Sequence, residues 1–465
     1  MKIKTIPSTW VENNGCRLDC GPYMSGAFEA KVILENLRYP KEHLEDLTLG
    51  GLGGIFKGKM VKRIFVNDKD HGVPFLNTSD MLAADLSSLT LLSKRVAVTD
   101  KPCFVSEGTT LVSAAGTIGR TAYVRKEMEG MFACSDIMKI VSDPTRILPG
   151  YLYAFLSSKF GVPLLTSGTF GSIILHIEPF HIANAPVPRL GDIEQEASKL
   201  VEKAASLRSE ASEIICNAIQ QMKSEARLDE LPLDTGSVFD VSVASSVNVF
   251  SRLEGFYHSN YHGAARNAVC GSAHGSQKVS DIAQSIIEPT RFKRIQVEPS
   301  ETSVPFFGTT PLLWATPKPI YHLAERQRNI SDYLVSRHTV LIPRSGQISG
   351  LIGSAILPYG ELVGGAITED AIRINCTDES DAGYLFVALS SEYGKRQLKA
   401  RAYGSSIPHL DVTQIGLVEV PRLPEGIRNE IGMAGLDSAI KRGQAIELEE
   451  QAVALVERTI EEGGR

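Results

Sequence analysis

The chain lacks the signatures of the common catalysts. There is no GxxxxGK[ST], so the phosphate cradle of a P-loop is missing. Neither HExxH nor GxSxG occurs, which removes helix-borne zinc ligands and a serine elbow. No two prolines are adjacent, so the Asn/Asp-Pro-Pro-aromatic loop of amino-methyltransferases is absent. Glu29-Ala-Lys31 is a lone ExK without a preceding Pro-Asp and does not make a nuclease. Gly50–Gly54 (GGLGG) has no strand-then-helix frame around it and reads as a flexible loop rather than a dinucleotide fingerprint.

Cysteine is sparse. Seven are scattered and none forms a CxxC, which fits reduced thiols in a cytoplasm rather than a disulfide framework. Cys16 and Cys20 could be half of a zinc site, but no second Cys/His pair answers them, so no metal is expected. No apolar run reaches the roughly 18 residues that span a bilayer. The start, from Met1 to Ser8, has no signal-peptide core. A cytoplasmic location is expected.

Net positive charge is also lacking: the total is −6. Its distribution decides what that means. Residues 1–190 carry 21 Lys+Arg against 18 Asp+Glu, and residues 236–423 carry 17 against 17. The deficit sits in 191–235 (5 against 10) and 424–465 (5 against 9). The two large segments are therefore neutral to slightly basic, and a nucleic-acid face on them is open.

What is present is a duplication. Gly150–Leu190 returns at Gly383–Leu423 with an offset of 233 residues and no gap. Gly150 matches Gly383, Ser157-Ser158 matches Ser390-Ser391, Gly161 matches Gly394, and Gly171-Ser172 matches Gly404-Ser405. His176 matches His409, and Pro188-Arg189-Leu190 matches Pro421-Arg422-Leu423. The match extends upstream. Lys62-Arg63-Ile64 answers Lys293-Arg294-Ile295, and Val73-Pro-Phe-Leu answers Val304-Pro-Phe-Phe, at an offset of 231. Thr110–Gly119 answers Val340–Gly350, each an apolar strand entering a glycine turn, and Ser135–Ile140 answers Glu369–Ile374. Openings near Arg17-Leu-Asp and Arg252-Leu-Glu precede a helix at Ala27–Leu37 and a weaker counterpart at Gly263–Cys270. Two copies of one unit follow from this, with drift confined to loops.

A helix is expected after each copy. Ile193, Ala197, Leu200, Ala204, Leu207, Ala211, Ile214 and Ala218 alternate by four and three, a heptad seam. Ala445, Leu448, Ala452, Leu455 and Thr459 form a second, with Ile427, Ile431 and Ala434 before it and an interruption near Gly443. The two helices have each other as partners, and an antiparallel pair would hold the units at a fixed separation. Residues 224–250 read as a linker into the second unit. The expected fold is α/β (α+β): units at 1–190 and 236–423 with helical spacers at 191–235 and 424–465.

Candidate binding residues are the repeated cations. Lys57, Lys59, Lys62 and Arg63 cluster in the first unit; Arg291, Lys293 and Arg294 cluster at the matching place in the second. Arg344 lies in a glycine turn, and Lys395, Arg396, Lys399 and Arg401 follow a helix of the second unit. Cations among Phe, Tyr, Ser and Gly suit phosphate and base-edge contact. His176 and His409 each have a carboxylate two residues on (Glu178, Asp411), which invites an acid–base reading. Contact with DNA, and a hydrogen-bonded structural histidine after a turn, are the alternatives.

Two homologous units, each closing on GYL…SS…G…GS…H…PRL and each followed by a heptad helix, resemble the DNA-specificity subunit of type I restriction–modification systems, over nearly the whole chain. The resemblance implies two target-recognition domains and an antiparallel coiled-coil ruler between them. It implies double-stranded DNA with a bipartite target as ligand and no catalysis by this chain. It further implies recruitment of two adenine-methyltransferase subunits that use S-adenosylmethionine, and of restriction subunits driven by ATP and Mg, in an anti-phage defence complex. The half-sites should differ, because the two units differ most at Gly50–Ser93 and Arg291–Ile330. A helix of roughly 30 residues spans about 45 Å, on the order of one and a third turns of duplex at about 34 Å per turn.

Overall fold

A computed structural model describes residues 3–13, 16, 18, 20–168, 175–233 and 240–464. The chain is mixed α/β and divides into two compact units, Met1–Ser209 with Ala445–Arg465, and Glu210–Gln444.

The duplication read from the sequence is a duplication of topology. In the first unit Lys41–His43 pairs with Pro186–Pro188; in the second Ser276–Lys278 pairs with Glu419–Pro421. A four-stranded sheet in the first unit runs Phe65–Val66, Leu91–Ser93, Gly72–Leu76, Phe132–Ala133. Its counterpart runs Gln296–Val297, Tyr321–Ala324, Ser303–Phe307, Ala366–Ile367. Both end on a parallel pairing, Phe75 opposite Phe132 and Phe306 opposite Ala366. The remaining sheet has four strands in the first unit (Ile55–Lys57, Ile137–Ile140, Thr110–Ser113, Thr121–Tyr123). In the second it has three (Ser285–Ile287, Ala371–Asn375, Thr339–Pro343). Strands Thr110–Ser113 and Ile137–Ile140 are buried at every position, so their side chains fill core on both faces.

The repeated block frames each unit. Its helix is Pro149–Ser157 in the first and Glu379–Ser390 in the second. Tyr151 and Tyr384 are buried and donate their hydroxyls to the carbonyls of Pro188 and Pro421, tying helix to closing strand. Ser158 and Ser391 each accept from the backbone N–H three residues on, at 3.1 and 3.2 Å. Gly150 and Gly383 mark close helix crossings. A Cβ at Gly150 would fall 2.8 Å from the Ser198 backbone, and one at Gly383 would overlap the Gly432 carbonyl. Gly171-Ser172 lies outside the described residues.

The first long helix is Asp192–Ala226 (35 residues) and the second Glu425–Gly463 (39 residues). Each gives one end to each unit. In the first unit Ala197, Val201 and Ala205 share a core with Ala452, Val456 and Ile460, and Ala204 and Leu207 pack with Ala445 and Leu448. The expected interruption near Gly443 is absent. The helix runs through it, and Gly443 instead lets the turn at Gly360 approach, its would-be Cβ lying 3.3 Å from the Gly360 nitrogen. Gly50–Gly54 is not a flexible loop either. Gly51–Gly54 forms a 3-10 turn held by the Thr48 hydroxyl on the Gly51 carbonyl at 2.7 Å, and leads directly into strand Ile55–Lys57. The linker stretch begins as helix, to Ala226, and holds a second short helix at Ser246–Ser251. Among the described residues no helix is long and apolar enough to cross a membrane.

Candidate nucleic-acid interface

Both repeated basic clusters lead into the same place, the edge strand of the sheet that ends on the parallel pairing. In the first unit the chain leaves strand Ile55–Lys57, turns at Gly58, and enters edge strand Phe65–Val66. A Cβ at Gly58 would overlap the Cys103 sulfur, so the turn passes directly over the core. The Lys59 N–H donates to the buried Asp100 carboxylate at 2.5 Å. Lys57 is held by Glu178, also at 2.5 Å. With the loop's base fixed, Lys59, Lys62 and Arg63 stand exposed, and Met60 is 89% exposed between them. The Arg63 guanidinium lies 5.6 Å from the Phe75 ring centre.

The second unit repeats the arrangement. Arg291 and Lys293 are exposed, and Arg294 lies 4.5 Å from the Phe306 ring. Arg294 also donates to the Tyr321 hydroxyl at 3.0 Å and pairs with Glu369, which Arg291 approaches at 3.4 Å. Burial opposes the charge on Arg294, yet Tyr321 and Glu369 overcome it and raise its pKa. Burial likewise works against the Glu369 carboxylate, but its backbone hydrogen bond and the two arginines hold it below the ordinary range. Arg63 and Arg294, and Phe75 and Phe306, are the pairs that the repeat aligns, so the same contact of a cation before the edge strand with a ring on an inner strand recurs in both sheets.

The other candidates lie elsewhere in the second unit. Arg344 is half-buried and paired with Glu288. Lys395 and Lys399 are half-buried, and burial lowers the Lys399 pKa. Arg396 is 6% exposed, bonded to Glu392 (2.7 Å) and the Pro232 carbonyl (2.9 Å), with the Tyr261 ring 3.7 Å away. Arg401 is also 6% exposed and donates to the Leu417 carbonyl at 2.8 Å. The helical group therefore narrows. Arg396 and Arg401 spend their guanidinium groups on packing, because helix Glu392–Arg401 is buried on most of its circumference.

His176 and His409 occupy one structural position in the two units. Ile177 and Leu410 donate to the carbonyls of Ala114 and Arg344 (3.1 and 2.7 Å), and the carbonyls of Leu175 and Pro408 accept from Gly116 and Gly346 (3.1 and 3.2 Å). The carboxylates two residues on are engaged in structure. Glu178 holds Lys57, and Asp411 caps helix Val412–Gly416 through the Gln414 N–H at 2.8 Å. A short helix, Pro179–Ile182, separates His176 from the closing strand it was expected to begin.

The sequence reading missed the buried cations Lys139 and Arg373, each about 1% exposed and central in the matched strands. Arg373 donates to the carbonyls of Ile367, Thr368 and Ala371, so it pins the turn that carries Glu369. Burial lowers the pKa of both, that of Arg373 to about 10. The visible signal was a cation inside an apolar strand at the same register in both copies.

No family model matches this chain. No curated protein matches it. Among solved structures it is similar to the S subunit of a type I restriction–modification system from M. genitalium, at 14% identity and a TM-score of 0.36, covering 92% of this chain and 96% of that one. It is similar also to the HsdS subunit from Thermoanaerobacter tengcongensis, at 14% identity and a TM-score of 0.28, covering 91% and 96%. A third match belongs to work on complex assembly and conformational transition of the type I R-M system, at 13% identity and a TM-score of 0.27, covering 91% and 97%. TM-scores this low align no individual site.

Proposed function

We propose that this chain is a non-catalytic, sequence-specific DNA-binding subunit of a type I restriction–modification complex. The observation that carries the reading is the duplicated basic loop. Exposed cations stand on an anchored turn beside a sheet edge, once in each unit, with Arg63 over Phe75 and Arg294 over Phe306. Two copies of one DNA-reading face suit a target in two halves. A single module discriminates by about 1–3 kcal/mol per mismatched pair, and a second module multiplies that. The loops differ on either side of the shared Lys-Arg-Ile, with Met60, Val61 and Phe65 against Arg291, Phe292 and Gln296, so the half-sites differ in sequence.

The long helices serve as the spacer that fixes the gap. Methyltransferase subunits using S-adenosylmethionine, and restriction subunits using ATP and Mg, would supply the chemistry. This chain would bring them to the target in an anti-phage complex. An enzyme built on His176 and His409 is disfavoured, since their neighbouring carboxylates are engaged with Lys57 and the Gln414 N–H.

The test is selection from random duplexes by the purified chain together with an adenine-methyltransferase subunit of a type I system. Enrichment of two short motifs at a constant gap is expected. Recovery of no motif would contradict the reading.

A further inference from the structure

Between the two long helices, within the first unit, lies a polar cluster in an otherwise apolar seam. Arg208 and Glu449 are 7% and 8% exposed and pair through both oxygens, at 3.0 and 2.6 Å. Tyr153, from the repeated helix, donates to the same carboxylate at 2.7 Å. Burying an ion pair is costly: desolvation roughly cancels the attraction, so the pair explains little stability. What it can supply is register.

The seam around it cannot supply register alone. Ala197, Ala204, Ala211 and Ala218 recur at intervals of seven, all buried, and Ala445 and Ala452 repeat the interval on the second helix. A slide of one heptad would put alanine back where alanine was. It would not restore the ion pair. Arg208 would then face Arg442 or Val456, seven residues either side of Glu449, and Glu449 would face Val201 or Ile215. Either slide buries an uncompensated charge.

The second unit shows that this cluster is not part of the shared frame. Tyr153 corresponds to Phe386 at the offset of 233. At the offset of 234 that relates Ser198 to Gly432, Arg208 corresponds to Arg442 and Glu449 to Ile215. There the close approach of Gly383 to Gly432 and Gly435 holds the crossing instead. We infer that Tyr153, Arg208 and Glu449 form a register pin that selects one alignment of the two helices and, if the chain reads DNA as proposed above, one gap length.

The experiment uses the full chain with disulfide trapping. One cysteine pair, Leu207→Cys with Ala445→Cys, lies in one buried cluster. The other, Leu207→Cys with Ala452→Cys, is one heptad out. After oxidation with glutathione disulfide, linked peptides are counted by mass spectrometry. With the pin intact only the first pair links. With Arg208→Met, Glu449→Leu and Tyr153→Phe together, folding is retained and out-of-register linkage rises at least about tenfold. No rise overturns the pin. Should the triple variant not fold, Tyr153→Phe with Glu449→Gln keeps side-chain shape and is read in the same way. A second arm selects duplexes with the methyltransferase partner. A heptad slip is about 10 Å of travel at 1.5 Å per residue, near three base-pair steps of about 3.4 Å. Gaps should therefore spread by about that many pairs in the triple variant. If linkage rises but neither protein selects any duplex, the pin stands and the DNA reading falls.

Discussion

Arg294 holds its guanidinium 4.5 Å from the centre of the Phe306 ring while pairing with Glu369, so the cation is anchored before any ligand arrives. Lys293 beside it is exposed. This division predicts two kinds of variant. Lys62→Glu and Lys293→Glu should weaken DNA binding and reduce the slope of log affinity against log salt by about one per lost phosphate contact. Stability should stay within about 0.5 kcal/mol. Anisotropy titrations at several salt concentrations, with melting curves alongside, read both.

Arg396→Ala and Arg401→Ala should behave in the opposite way. Each removes a buried guanidinium from backbone carbonyls, a loss of about 1–3 kcal/mol. The salt slope should be unchanged. Denaturant unfolding of each variant checks the first claim.

Gly150→Ala should push the Pro149–Ser157 helix away from Ser198, which a Cβ would approach to 2.8 Å. The cost expected is about 1–3 kcal/mol. Gly53→Ala, with nothing within 4 Å, should be near neutral. Thermal melts of the two variants side by side make the comparison.

Stability should fall in alkali. Burial raises Tyr123 to about 12 and pushes Tyr151, Tyr153 and Tyr384 up as well. A phenol with a raised folded pKa contributes stability that is complete below its unfolded value, about 10, and is lost as pH rises through the folded one. Lys139 and Arg373 act the other way. Their depressed folded pKa values mean the unfolded chain binds more protons, so their contribution improves as pH rises. Burial also pushes up Tyr333, Tyr393, Tyr403 and the thiols of Cys103, Cys134 and Cys376, and pushes down Arg120, Lys399 and Arg401. The raised groups outnumber the lowered cations, which gives a net decline above about pH 10. Absorbance at about 295 nm should show these phenols ionising only on unfolding, with Tyr151→Phe flattening the decline.

The duplication was legible because glycine, serine and tyrosine positions in the frame answer backbone needs that both copies share. Tyr151 and Tyr384 bond equivalent carbonyls, and Gly161 and Gly394 would each overlap the preceding helix with a Cβ. The heptad seam was legible for the same reason, since Ala197 to Ala218 face one side. The anchors of the basic loops were not. Asp100 and Glu369 become partners of Lys59 and Arg294 only through contacts 41 and 75 residues away in sequence. The continuity of Glu425–Gly463 through three glycines was hidden too, because tertiary contact overrode helix propensity at Gly432, Gly435 and Gly443.

Sequencing the duplexes retained by the chain with the proposed methyltransferase partner, for the native protein and for Lys293→Glu, tests the two-faced reading most directly. Two motifs at one gap are expected from the native protein, and Lys293→Glu, which removes a phosphate contact, should retain both motifs at lower yield. A single motif, or both motifs relaxed together, would contradict it.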